Sequence, residues 1–173
     1  RVKLSLANSA LASQAVSVPV NATEMSCRGR VFADLGRKLM LRNPLENQQV
    51  HWNDSVLGAL AFSKKGAPAS GLNTTYMKLV RAAFNKKYWG DLNRDAARYG
   101  APRPSALDPN PYAYNQAEAN FALFFGLALQ LYEATLISDD SPFDRSARDA
   151  DGVPLDLSES AQRGMQVFRE AHC

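Results

Sequence analysis

QAEANFALFFGLALQLYEATLI, residues 116–137, is the stretch whose reading decides the fold. Phe121, Leu123, Phe124, Phe125, Leu127, Ala128, Leu129, Leu131 and Tyr132 would cover most of the circumference of a helix, which is the pattern of a helix buried on nearly every side. The stretch predicts one continuous helix of 22 residues, roughly 33 Å long, at the centre of the molecule. Its longest apolar run, residues 121–129, falls far short of the ~20 residues that span a bilayer.

Working outward, residues 31–42 place Val31, Phe32, Leu35, Leu39 and Met40 at three- and four-residue steps and precede Pro44, so a short amphipathic helix is expected. Asn53 or Asp54 can cap a second helix over 56–62, and Thr74 or Thr75 a third with Met77, Val80, Ala83 and Phe84 inward. Lys78, Arg81, Lys86 and Lys87 then occupy its solvated faces or its last turn, where cations suit the helix dipole. Residues 64–71 read as a loop. Pro102, Pro104, Pro109 and Pro111 forbid a helix between Tyr99 and Tyr114. Residues 1–30 show no sustained period and read as an extended segment. Beyond the central helix, 139–151 forms a polar link. Asp156-Leu-Ser-Glu159 then has capping-box spacing ahead of a helix with Ala161, Met165, Phe168 and Ala171 on one face. No segment alternates with period two, and the expected class is all-α with long irregular connections.

The chain has 173 residues, 46% of them hydrophobic, which excludes a disordered or disulfide-stapled molecule. Its net charge of +3 is too small to neutralise a phosphate backbone, so no nucleic-acid partner is expected. Gly-rich phosphate loops, Ser-His-Asp sets and zinc-type clusters are missing from the sequence. It opens at Arg1 without an initiator Met or leader and stops at Cys173 within a helical pattern, so it is read as part of a longer protein. Cys27 and Cys173 either pair or remain free thiols.

The terminal run Gly164-Met-Gln-Val-Phe168, then Glu170-Ala-His-Cys173, suits the approach to a c-type haem site, Cys-x-x-Cys-His, of which Cys173 is the first thiol. Tyr132-Glu-Ala-Thr-Leu136, Ser141-Pro-Phe-Asp-Arg145, Leu157, Ser158, Ala161, Arg163, Gly164, Phe168 and Cys173 together resemble the stretch before the second haem motif in the di-haem bacterial cytochrome c peroxidase superfamily. That superfamily includes the haem enzyme that matures methylamine dehydrogenase. A second resemblance runs through Leu11-Ala-Ser-Gln14-Ala15, Pro19, Asn21, Glu24 and Met25, matching the segment in which a Gln and a Glu face the open side of the peroxidatic haem.

The resemblance implies cytochrome c-like haem domains, seen as an inter-haem fragment. Residues 1–114 would be the distal part of an N-terminal peroxidatic haem domain with an insertion, and 115–173 a central helix and the start of the second haem domain. It implies two haem c groups in the full protein, hydrogen peroxide as substrate and a small cytochrome c or cupredoxin as electron donor. It also implies further polypeptide at both ends, and a periplasmic or exported location. Glu24 is then the acid–base residue and Gln14 orients peroxide, because O–O cleavage needs a group that takes a proton from one oxygen and returns it to the other. The alternative for Glu24 is a plain surface carboxylate.

Superfamily members also bind calcium near the domain boundary, but 139–151 lacks an EF-hand pattern and no calcium ligand is assigned. Compact members carry a relay Trp about ten residues before the Gln, where this chain has Arg1-Val-Lys-Leu-Ser5. Trp89 is either a replacement relay between haems or a packing residue. His51 either approaches a haem iron or is a hydrogen-bonded loop histidine. Met25 reads as core packing or a haem-edge contact, and Cys27 as a buried or inert thiol. The long interval 28–111 resembles larger members, in which the rival chemistry is oxygenation or oxidation of a large substrate. A further rival is an electron-transfer subunit that has lost peroxidase activity.

Overall fold

A computed structural model describes residues 5–105 and 111–171. The decisive stretch is helical, but it is broken. Helix α5 (Gln116–Ala119) gives way at Asn120 to α6 (Phe121–Glu133). Asn120 leaves the helical backbone, and its side chain donates to Tyr88 O at 2.7 Å, tying the break to the segment beneath it. The expected continuous 22-residue helix is therefore two, and it stops at Glu133. Burial also fails at its far end, where Leu131, Tyr132, Leu136 and Ile137 are all at least 60% exposed. Circumferential hydrophobicity shows only that a helix can be buried, not that neighbours exist along all of it.

The remaining helices follow in chain order: α1 (Ala10–Ala15), α2 (Phe32–Leu39), α3 (Tyr76–Ala83), α4 (Ala96–Tyr99), α7 (Pro142–Arg145) and α8 (Glu159–Glu170). No strand is present among the described residues, only isolated bridges, so the all-α class holds. Two compact units divide the chain, Arg1–Tyr132 and Glu133–Cys173. Nearly all of α6 falls within the first unit.

The core of the first unit is built from α2, α3, α5 and α6. Met40, Met77, Val80, Ala117, Phe121 and Phe124 are buried there, with Phe84 against Phe124 at 4.8 Å between ring centres. Gly36 allows α2 to lie directly on α5 and α6: a Cβ there would meet Phe121 Cβ at 2.7 Å and Glu118 O at 2.9 Å. The Asp34 carboxylate accepts the Val31 N–H and so starts α2. Thr75, the expected cap, accepts the Lys78 N–H at the start of α3.

Residues 43–75 form a smaller cluster around Val50, Ala61 and Leu72. Asp54 caps as expected, accepting from Val56 and Leu57, yet only a 3₁₀ turn, Gly58–Leu60, follows. The helix expected over 56–62 is overruled by pairing with a distant segment. Asn73 N–H donates to Leu60 O and Phe62 N–H to Gly71 O, which draws the backbone into extended form.

The first 30 residues correct the extended reading. Residues 5–30 contain α1 and a 3₁₀ turn, Val18–Val20, around Pro19. Helix α1 lies on α6 at Gly126, where a Cβ would meet Ala12 O at 2.8 Å, and Ala12 N–H donates to Gln130 Oε1 at 3.1 Å. A six-residue helix of small side chains carries no readable period, and its docking supplies what propensity does not. The proline-bearing connection includes residues 106–110, outside those described. Its far end returns through Tyr114, whose N–H donates to Gly100 O.

In the second unit Ser141 and Asp144 cap α7 reciprocally. Asp156, expected to open a capping box, instead accepts the Ala147 N–H at 2.9 Å. Ser158 caps α8, accepting from Ala161.

Candidate functional site

Gln14 and Glu24 stand on a local scaffold anchored by α1. After Pro19 the chain turns on Asn21, whose carbonyl accepts from Glu24, Met25 and Ser26 while its side chain accepts from Thr23 N–H and Oγ–H. That Asx-type turn presents Glu24 to solvent. Gln14, on α1, is exposed as well. No hydrogen bond or ion pair joins either side chain to another group among the described residues, and none joins the two to each other. Both are available to a ligand, and neither is committed to the fold. Met25 is 69% exposed, so it packs in no core of this unit. Cys27 is exposed and free, which corrects the buried reading. Cys173 lies outside the described residues.

Trp89 is held as a structural residue would be. Its indole N–H donates to Phe84 O at 2.8 Å, its ring packs on the core, and the Arg81 guanidinium lies 5.3 Å above it. His51 is exposed, and its Nδ1 accepts the Asn53 N–H at 3.1 Å. The hydrogen-bonded loop histidine is what this geometry favours.

The densest polar constellation was not read from the sequence. Glu118, 5% exposed, accepts from Arg37 Nη2 at 3.1 Å, from Arg94 Nη1 and Nη2 at 3.0 and 3.1 Å, and from Asn115 N–H at 3.1 Å. Both guanidiniums also donate to Ala113 O. Arg37 stacks on Tyr114 at 4.6 Å, and the Tyr114 hydroxyl donates to Asp34. Burial pushes the Glu118 carboxyl up, but the hydrogen bonds from Arg37, Arg94 and Asn115 prevail and hold it below its ordinary value. Burial first, then the bond to Asp34, raises Tyr114 well above the usual phenol range. The signal that could have exposed this network was a lone acid, Glu118, opening the most apolar segment of the chain. A buried carboxylate there demands cationic partners.

No group of three or more His, Cys, Asp and Glu side chains able to hold a metal ion occurs among the described residues. No helix among them is long and apolar enough to cross a membrane. No protein-family model matches the chain, and neither a curated protein nor a solved structure matches it.

Proposed function

We propose that this chain is the inter-haem portion of a di-haem c-type cytochrome of the peroxidase superfamily, exported from the cytoplasm. It would reduce hydrogen peroxide to two waters with two electrons from a small cytochrome c or cupredoxin and two protons. The observation that carries the reading, beside the ordered resemblance ending at Cys173, is the state of α8. Amphipathic as its sequence is, it buries no residue, and Val167 and Phe168 are each 62% exposed. In c-type domains the porphyrin faces are a large part of the core, so a helix that approaches the attachment cysteine with an uncovered apolar face fits such a partner. Cys173 would hold the group by a thioether, and α8 would supply apolar contacts to it.

Haem, when bound, supplies the electron transfer and Lewis acidity that break the O–O bond. The chain's own contribution is proton handling. Glu24 would take a proton from one peroxide oxygen and deliver it to the departing one, while Gln14 would orient the peroxide through its amide. Their exposure and freedom from internal partners support this assignment. Glu24→Gln in the intact haem protein should lower peroxide turnover by about 10²–10⁴-fold with the haem spectrum unchanged. Turnover within threefold of the parent would overturn the role of Glu24, an intact protein without haem absorbance would overturn the family reading, and two low-spin haems inert to peroxide in every redox state would leave electron transfer only.

One observation favours the oxygenase rival. Residues 49–68, inside the interval 28–111, carry a groove of about 400 Å³ lined by His51, Trp52 and Lys64, a place for part of a larger substrate. Oxygen-dependent turnover that survives Glu24→Gln would select this reading over the peroxidase.

A further inference from the structure

Beside the Glu118 network lies a second cavity of about 300 Å³, formed where α2, α3, α5 and residues 92–94 meet. Three guanidiniums line it, Arg37, Arg81 and Arg94, each from a different element, together with Met40, Met77 and Leu92. Glu118 is the one carboxylate in its wall, and it accepts four hydrogen bonds, three at Oε2 and one at Oε1. One negative charge therefore faces three positive ones, leaving a surplus of two.

No second carboxylate lines the cavity among the described residues. Arg81 makes no ion pair among them, and its guanidinium lies against the Trp89 ring. Arg37 keeps a buried Nε–H without an acceptor. Asp34, the other acid near Arg37, accepts from Val31 N–H and the Tyr114 hydroxyl and makes no ion pair with Arg37, so its charge acts on that guanidinium only at a distance. A cleft that combines the unpaired Arg81 guanidinium and an excess of positive charge with a thioether- and leucine-lined wall suits a ligand with an anionic head and a hydrocarbon body. Guanidinium groups bind carboxylates bidentately, and methionine side chains adapt to an alkyl chain. A dianionic, fully hydrated ion such as phosphate would satisfy the arginines but waste the apolar wall, where Met40 and Met77 are only 5% and 9% exposed.

We infer that this cleft is a binding site for a monocarboxylate carrying a medium-length alkyl chain, with Arg81 and Arg94 taking the head group and Met40, Met77 and Leu92 the chain. The inference is independent of haem and of Glu24.

Titration of the chain with octanoate, followed by amide chemical shifts and calorimetry, tests it against octanol and inorganic phosphate. Octanoate should bind at least tenfold more tightly than either, shifting amides of residues 77–81 and 92–94. Arg81→Gln, on a solvated face outside the Glu118 network, should weaken octanoate about tenfold, as loss of one charge-assisted hydrogen bond would. Leu92→Gln, at a half-exposed position, should weaken octanoate and leave phosphate unchanged. Retained helical circular dichroism in both variants excludes misfolding as the cause. The inference fails if octanoate does not bind below about 10 mM, or if octanol or phosphate binds as well. It fails equally if Arg81→Gln leaves the affinity untouched.

Discussion

A single carboxylate shows how much of this molecule depends on one residue. Glu118 joins α5 to Arg37 of α2 and to Arg94 in the segment before α4, and it caps its own helix through Asn115. Replacing it by Gln keeps the size but leaves two guanidiniums without their counter-charge. The expected loss is about 2–3 kcal/mol. This is less than the ~3–5 kcal/mol of a fully buried pair, because the side chains of Arg37 and Arg94 retain 29% and 44% exposure and water can reach them. Chemical denaturation of Glu118→Gln beside the parent measures it. An unchanged midpoint would show that the network is only a surface decoration of the fold.

At the scale of elements, two glycines on two helices make opposite predictions. Gly126 of α6 lies under α1 with Ala12 O and Val16 Cγ1 in the space a Cβ would take. Gly126→Ala should push α1 away, costing about 1–3 kcal/mol and exposing residues 10–20 to proteolysis. Gly164 of α8 has nothing within 4 Å of that position. Gly164→Ala should therefore raise the helicity of α8 and stabilise it by about 0.5–1 kcal/mol, since alanine loses less conformational freedom on entering a helix. Thermal unfolding with limited proteolysis distinguishes the two. If Gly126→Ala stabilises as Gly164→Ala should, α1 does not rest on α6 in solution. Under the proposed function the docking of α1 would bear on turnover, because α1 carries Gln14 and leads into the turn that presents Glu24.

For the whole molecule, stability should fall toward acid. The Glu118 carboxyl is held below its ordinary 4.5 in the folded chain, so its ion pairs contribute fully above that value. Their contribution is lost as pH falls through the lower, folded value. Asp91 shifts the same way, first through the Tyr99 hydroxyl. Tyr114 acts at the other extreme: raised in the fold, its contribution is present below the ordinary 10.0 and lost as pH rises above it. Unfolding free energies should thus be flat from about pH 6 to 9 and decline on both sides. Glu118→Gln should shallow the acid limb. An acid limb that keeps its slope in this variant would assign it to other carboxylates.

Local signals alone determined the helical class, the caps at Asp54 and Thr75, the amphipathic α2 and α3, and the strongly apolar α6, because each is encoded within one or two turns of chain. The same reading named Gln14 and Glu24 as candidate groups through their resemblance; α1 supplies the exposed setting of the first and the turn on Asn21 that of the second. Tertiary structure alone decided the break at Asn120, the docking of α1, the extended pairing that cut short the helix after Asp54, and the Arg37–Glu118–Arg94 cluster. Arg37 and Glu118 stand 81 positions apart, and Asn120 reaches Tyr88 across 32. Helical periodicity and capping report only neighbours along the chain. A polar residue's distant partner is fixed when burial removes water and obliges every donor and charge to find another group.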